Sequence, residues 1–445
     1  MASPGRSIPP SLEDAFFAAL PGEGRAIDRA IHRDDEMLQF LRQALRGDMA
    51  QARGHYFRSG HSIAEALLQI LRWRYGGLSS VPSLLDFASG YGRVTRFLAP
   101  ALGAERVWVS DLYEAGIEFQ RQTFGVRGFV STVDPADLDR PERFAVIVAT
   151  SLFSHLREER FHGWLQALGR LLESNGMLIF SVHDQSLLPT DRSLDASGLT
   201  FQARSESGSH DPQEYGSAWV SEDFVRRAVE GALGEVAIKR LPHGLCAFQD
   251  LYVVTRPGDV GSPLEFAAEP KFHLERCDVD SAGLELAGWT GGEPAIEAVE
   301  ATFGGARATH AAVALERPEA EPFTGRRRCG WQMTLPLPDG FTGAHPLLLR
   351  TVDAEGRRQV VHLASVATST LGCAEERLRW LQEELHRRET RWATDRDRAD
   401  ARHGEDQARS AQTIRELEAR IAAMEASRFW KLRNLWFRLK GGGDR

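Results

Sequence analysis

The stretch Ser83-Leu84-Leu85-Asp86-Phe87-Ala88-Ser89-Gly90-Tyr91-Gly92-Arg93-Val94-Thr95-Arg96-Phe97-Leu98 constrains the fold of this chain more than any other. A short apolar run reaches Asp86, two glycines follow, and Val94, Phe97 and Leu98 then recur at helical spacing. That order reads as strand, tight turn and helix. Gly90 and Gly92 can take positive φ and carry no Cβ, so a ligand can come close to the backbone while the amides opening the next helix face an anionic group. A second short strand, Arg106-Val107-Trp108-Val109-Ser110-Asp111, ends in an acid about 20 residues past the glycines, the spacing of a ribose-binding carboxylate. Thr95 stands where a dinucleotide-binding G-x-G-x-x-G motif carries its third glycine, which disfavours NAD and suits a ligand without a pyrophosphate.

Apolar strands alternate with helical patterns from residue 82 to about residue 257, which implies a parallel sheet with helices on both faces. Strands are expected at 84–87, 106–110, 128–131, 144–149 and 177–182, with two further candidates at 236–240 and 249–255. The helices between them are expected at 93–102, 113–124, 158–172 and 221–233. Asp86, followed after three residues by Gly90-Tyr91-Gly92, resembles the first motif of the class I S-adenosylmethionine-dependent methyltransferases. The strand count agrees with that family's Rossmann-like seven-stranded sheet, whose last two strands form a hairpin. The resemblance implies S-adenosyl-L-methionine as cofactor, with Tyr56, Asp86, Ala88, Gly90, Gly92, Arg93, Asp111, Leu112, Thr132 and Ser151 around it. In that arrangement Asp86 orients the methionine end, the glycine turn admits its carboxylate, Asp111 takes the ribose hydroxyls, and Thr132 stands near the adenine. Tyr56 belongs to Gly54-His55-Tyr56-Phe57-Arg58-Ser59-Gly60-His61, which reads either as a segment folding over the cofactor or as a turn between two helices with two packed aromatics.

Ligands in such sheets sit beyond the carboxyl ends of the strands. There, Ser151-Leu152-Phe153-Ser154-His155-Leu156 resembles a segment of small-molecule and sugar methyltransferases. Methyl transfer is an in-line displacement that needs positioning and removal of a proton from the acceptor, and an imidazole suits that base role near neutral pH. His155 is the first candidate and His183 the second, the alternatives being that His155 orients the following helix and that His183 is structural. His243 and Gln249 lie where they would help shape an acceptor pocket. The polar stretch 184–217 reads as a substrate lid, with a plain linker as the alternative.

The organisation expected from these patterns is a flexible N-terminal arm over 1–35 with one short helix at 12–20, then a methyltransferase domain over 36–257 with two helices at its start. An all-β sandwich domain over 258–370 follows, where the periodicity changes to two and Thr351-Val352-Asp353-Ala354-Glu355-Gly356-Arg357 marks a hairpin turn. Its Gly288-Trp289 and Gly330-Trp331 pairs resemble an accessory module beside bacterial polysaccharide-modifying transferases; the tryptophans are read as buried, or exposed and stacking on a sugar ring. A helical coiled coil is expected over 371–426, from Leu378, Leu381 and Leu385 to Ile414, Leu417, Ile421 and Met424. It reads as a homo-oligomer contact, or as one solvated helix. The tail, 427–445, places Phe429, Leu432, Trp436 and Leu439 on one helical face among basic residues, a pattern suited to an anionic membrane surface or to a groove on a partner protein.

The net charge of −8 argues against nucleic acid as the main partner. Cys246, Cys277, Cys329 and Cys373 form no C-x-x-C pair, so neither a zinc site nor a disulfide framework is expected, and a cytoplasmic location is the default. The first residues lack a signal-peptide pattern, and no apolar run approaches the ~20 residues of a membrane span. The leading expectation is a methyltransferase acting on a sugar or glycan hydroxyl. The alternatives are a cofactor-free oligomeric scaffold and a methyltransferase of a small metabolite.

Overall fold

The structure, a computed structural model, describes residues 10–20, 27–189, 192–203, 213–257, 263–279, 283–305, 308–337 and 344–367. The chain divides into a unit Met1–Leu371 and a unit Gly372–Arg445. The expected coiled coil and basic tail lie outside the described residues.

Three helices open the chain. Ser11 caps α1 (Leu12–Ala19) by accepting from the Asp14 N–H, Asp35 caps α2 (Glu36–Ala44), and Asp48 caps α3 (Met49–Tyr75), which ends at Gly76 in the left-handed conformation. The described part of the arm is packed rather than loose. Phe16 and Phe17 are buried, and Arg53 of α3 bonds Glu13 at 2.7 Å. The expected break at Gly54 to His61 is also absent, since α3 runs unbroken through it. Those glycines serve close packing: a Cβ on Gly54 would meet Leu363 Cδ2 at 2.9 Å, and one on Gly60 would meet the Arg93 carbonyl oxygen at 2.4 Å. A helical glycine costs about 1 kcal/mol against alanine, and here the near approach of α3 to the loop above the sheet offsets it.

The sheet follows as β1 (Leu84–Phe87), α4 (Thr95–Leu102), β2 (Val107–Asp111), α5 (Glu114–Phe124), β3 (Arg127–Val130), β4 (Phe144–Ala149), α6 (Glu158–Leu171) and β5 (Leu172–Asp184). Next come β6 (Leu199–Gln202), β7 (Ser217–Val220), α7 (Glu222–Leu233), β8 (Ala237–Leu245) and β9 (Gln249–Thr255). Strands β3, β2, β1, β4 and β5 are parallel neighbours in that order, and β9 then pairs antiparallel with both β5 and β8. β1 and β4 are buried on both faces, as a parallel sheet covered by helices requires. Among the described residues the sheet has nine strands rather than seven. The extra pair lies in and just after the stretch read as a lid: β7 pairs in parallel with the end of β5, with His183 opposite Trp219, and β6 folds back on β7.

The rest of the described chain is all-β apart from a 3-10 turn over Pro318–Ala320 and the one-turn α8 (Glu321–Thr324). One antiparallel sheet contains β10 (Lys271–Val279), β11 (Leu284–Gly291), β15 (Arg328–Leu335) and β14 (Leu315–Glu316). The other contains β13 (Thr309–Ala312), β12 (Ile296–Phe303), β16 (Ala344–Asp353) and β17 (Arg358–Ala367). Trp331, Leu286, Phe303 and Leu349 fill the space between them, as in a sandwich. Trp331 is wholly buried, whereas Trp289, one register position from it on the opposite face, is half-buried. Leu348, Val360 and Leu363 point the other way, into one core with α1 and α3. The β-sandwich therefore shares a hydrophobic core with the helices that precede the parallel sheet.

Candidate functional site

A cavity of about 570 Å³ opens beyond the carboxyl ends of β1, β2 and β4, within the usual range for small-molecule sites. Asp86, Ala88, Gly90, Arg93, Asp111, Leu112, Thr132 and Ser151 all line it. Tyr56, Gly92, His155 and His183 do not.

Asp86 is the next-to-last residue of β1 and is 2 % exposed. Burial pushes its carboxyl up to about 7, against the Thr95 hydroxyl, which donates to Oδ2 at 2.7 Å and pulls it down. Ala88 follows with φ +59, a left-handed conformation that is uncommon for a residue with a Cβ. Gly90 has φ +57, and a Cβ built on it would meet nothing within 4 Å, so its bare face gives on open space. Its N–H donates to Asp111 Oδ2 at 2.7 Å, and the Tyr113 N–H donates to Oδ1 at 3.2 Å. Gly92 has another task. Its Cβ would fall 2.5 Å from Phe124 Cε2 and 2.8 Å from Gln120 Oε1, so this glycine lets α5 pack on the turn and does not admit ligand. Gln120 in turn donates to Ser89 Oγ and to the carbonyl of Gly90, at 3.0 and 2.9 Å.

Thr132 donates to the Asp134 carbonyl at 2.7 Å, shaping the bend after β3. Ser151, after β4, also takes a positive φ of +59, and its N–H donates to Ser181 Oγ at 2.7 Å. Arg93 reaches back to Ser59 Oγ of α3 at 2.9 Å.

Tyr56 is fully buried inside α3, and it acts at one remove. Its hydroxyl donates to Asp35 Oδ2 at 2.6 Å, while Asp35 Oδ1 accepts from the Leu38 N–H and the residue itself lines the cavity with Glu36 and Met37. Arg96, 1 % exposed, donates to the carbonyls of Ala30, Asp28 and Gly92, tying the arm ahead of α2 to the glycine turn. His32 then stacks on Tyr91 at 4.8 Å, and Tyr91 lies near-parallel to Tyr113 at 6.3 Å. Sequence reasoning passed over Asp35, although an acid one position before a helix start is the mark of an N-cap.

On the far side Tyr215 lines the cavity and stacks on His155 at 4.5 Å. The Nδ1–H of His155 donates to the Gly216 carbonyl at 2.6 Å, which leaves Nε2 as the basic nitrogen of the neutral ring. His183 is 5.9 Å from His155 between ring centres and touches Phe248 and Trp219 at 5.3 and 6.2 Å. Burial holds its imidazole down at about 4, so it is neutral at physiological pH. Among the described residues no group of three or more His, Cys, Asp and Glu is placed to hold a metal ion, and no helix is long and apolar enough to cross a membrane.

Residues 85–178 match the family described as methyltransferase domain. No curated protein matches the chain. Similar solved structures include an S-adenosylmethionine-dependent methyltransferase from Clostridium acetobutylicum, 13 % identical at a TM-score of 0.35, covering 49 % of this chain and 97 % of that one. Another is an amino pentose methyltransferase of calicheamicin biosynthesis from Micromonospora echinaspora, solved with S-adenosylmethionine bound, 16 % identical at a TM-score of 0.35, covering 51 % of this chain and all of that one. These likenesses are too distant to carry an argument. The domain match covers most of the residues that line the cavity.

Proposed function

We propose that this S-adenosylmethionine-dependent methyltransferase O-methylates a sugar or glycan hydroxyl. The observation that carries the reading is the stack of Tyr215, on the cavity wall, against His155, whose Nδ1–H is already committed to the Gly216 carbonyl. S-adenosylmethionine, when bound, supplies a methyl group on a sulfonium. The residues present suit it: Gly90 leaves open space at the turn, Asp111 offers a carboxylate at the end of β2, and Asp86 lies one residue before the end of β1. Asp111 would hold ribose hydroxyls, Asp86 would orient the methionine ammonium, and His155 Nε2 would take the acceptor's proton as the methyl is transferred. Trp219 and Phe248 extend aromatic surface beyond His183, and ring faces of this kind suit the C–H face of a pyranose.

The test is transfer of labelled methyl from S-adenosylmethionine to a panel of saccharides and of amines. Label found in sugar methyl ethers, and lost in His155→Asn, supports the reading; label found in amines alone overturns it. The cavity disfavours the scaffold alternative, since the motif residues still enclose space for a ligand. For the C-terminal segment the proposal rests on heptad and amphipathic pattern alone: self-association through 371–426 and attachment to an anionic membrane surface through 427–440. Co-sedimentation with phosphatidylserine vesicles, with and without residues 427–445, tests the second; equal partitioning removes it.

A further inference from the structure

Gln249 opens β9 and is 8 % exposed, directly beside the ends of β4 and β5. Its amide oxygen faces the Ser181 and Ser151 hydroxyls. Ser181 Oγ accepts the Ser151 N–H at 2.7 Å, so the Ser181 hydroxyl has its own proton to give, and the Gln249 carbonyl oxygen takes it at 2.6 Å. The Ser151 hydroxyl approaches the same oxygen at 3.3 Å. With Oε1 receiving hydroxyls, the amide nitrogen is the atom that faces His183 Nε2, at 3.2 Å. An amide nitrogen only donates, so His183 Nε2 accepts. A neutral imidazole that accepts at Nε2 carries its proton on Nδ1. That Nδ1 is buried without a well-formed hydrogen bond, beside the Ala218 backbone.

We propose that Gln249 is a positioning residue of the transferase: it fixes His183 as the neutral Nδ1–H imidazole, so that His183 serves as a fixed neighbour of His155 and not as the base. The inference rests on the methyltransferase reading for its purpose, but not for its geometry. The lone pair that a base would use is spent on the Gln249 amide, whereas in His155 the committed atom is Nδ1–H and the basic nitrogen is Nε2. The same amide holds Ser151, which lines the cofactor cavity in a left-handed conformation. One side chain thereby ties the cavity wall to the imidazole pair.

The experiment is long-range proton–nitrogen NMR on the full chain labelled at the histidine imidazoles, at pH 7 with S-adenosylhomocysteine added, His183 being assigned by its absence in His183→Gln. The expected result is a single His183 spin system in the Nδ1–H form. Gln249→Glu, whose carboxylate only accepts, should convert it to a form with a proton on Nε2; Gln249→Leu should release it into a mixture. A wild-type His183 in the Nε2–H form overturns the proposal even if neither variant folds, and so does an unchanged His183 in Gln249→Glu. Calorimetric binding of S-adenosylhomocysteine checks the transferase reading separately: binding together with an Nε2–H His183 sinks only the Gln249 proposal, and no binding together with the Nδ1–H form sinks only the transferase.

Discussion

The backbone N–H of Gly90 donates to the Oδ2 of Asp111 at 2.7 Å, from the loop after β1 to the end of β2. Because the Tyr113 N–H occupies the other oxygen, one carboxylate pins two loops that face the cavity. Asp111→Ala should therefore lose both a ligand contact and the shape of the turn. A charge-assisted hydrogen bond is worth about 2 kcal/mol, so affinity for S-adenosylhomocysteine should fall by roughly 30-fold or more. Asp111→Asn keeps an oxygen for Gly90 and should lose less. Calorimetric titration of the three proteins checks the order.

The two glycines of the turn should fail in different ways. Gly92→Ala would drive a methyl into Phe124 and Gln120 at a φ of +82, and Gln120 itself braces the turn. A drop in melting temperature of several degrees is expected, with ligand affinity falling as a consequence. Gly90→Ala meets nothing and pays only for its positive φ, about 1 kcal/mol, but puts a methyl beside the ligand. Its melting temperature should stay close to wild type while binding weakens. Thermal unfolding and calorimetry on both variants separate the two roles.

That contrast shows where sequence reading reached and where it stopped. Asp86, Gly90 and Asp111 were legible because the strand–turn–helix order and the spacing to the next acid are local. The difference between Gly90 and Gly92 was not, since it depends on which side chains of α5 arrive from 28 to 32 positions away in the case of Gln120 and Phe124. Gly54 and Gly60 misled in the same manner. Read locally they suggest a turn, yet their partners are Leu363 and Arg93, which no periodicity within α3 reveals. Gln249 was noticed for its place at the start of a strand, but its bonds to Ser181 and His183 depend on β9 pairing with β5.

Asp86 should make stability and binding depend on pH. Its folded pKa of about 7 lies above the ordinary carboxylate value, so between roughly pH 4 and pH 7 the folded chain holds a proton that the unfolded chain releases. The stability this lends at low pH is lost as the pH rises through 7. Asp86→Asn cannot ionise, so its melting temperature relative to wild type should be higher at pH 8 than at pH 5. A ligand ammonium beside Asp86 would favour the carboxylate, so binding at pH 7 should release a proton. Calorimetry in phosphate and in Tris should then give different apparent enthalpies for wild type and equal ones for Asp86→Asn; equal enthalpies in both proteins would remove the proposed ammonium contact.

Arg240 should matter to the fold rather than to binding of the donor. Its guanidinium meets Asp250 at 2.7 Å, Glu222 at 2.7 Å and Asp184 at 2.9 Å, joining β8 to β9, to α7 and to the end of β5. Asp250 is fully buried and also accepts from the His243 N–H at 2.8 Å, so it has little access to water if its cation is removed. Breaking a buried pair from one side costs about 3–5 kcal/mol, because a charge is left without compensation. Arg240→Met should therefore lower the melting temperature strongly at pH 7. Arg240→Met combined with Asp250→Asn should recover part of the loss. The double variant being no more stable than Arg240→Met would show that the guanidinium contributes through packing and not through charge.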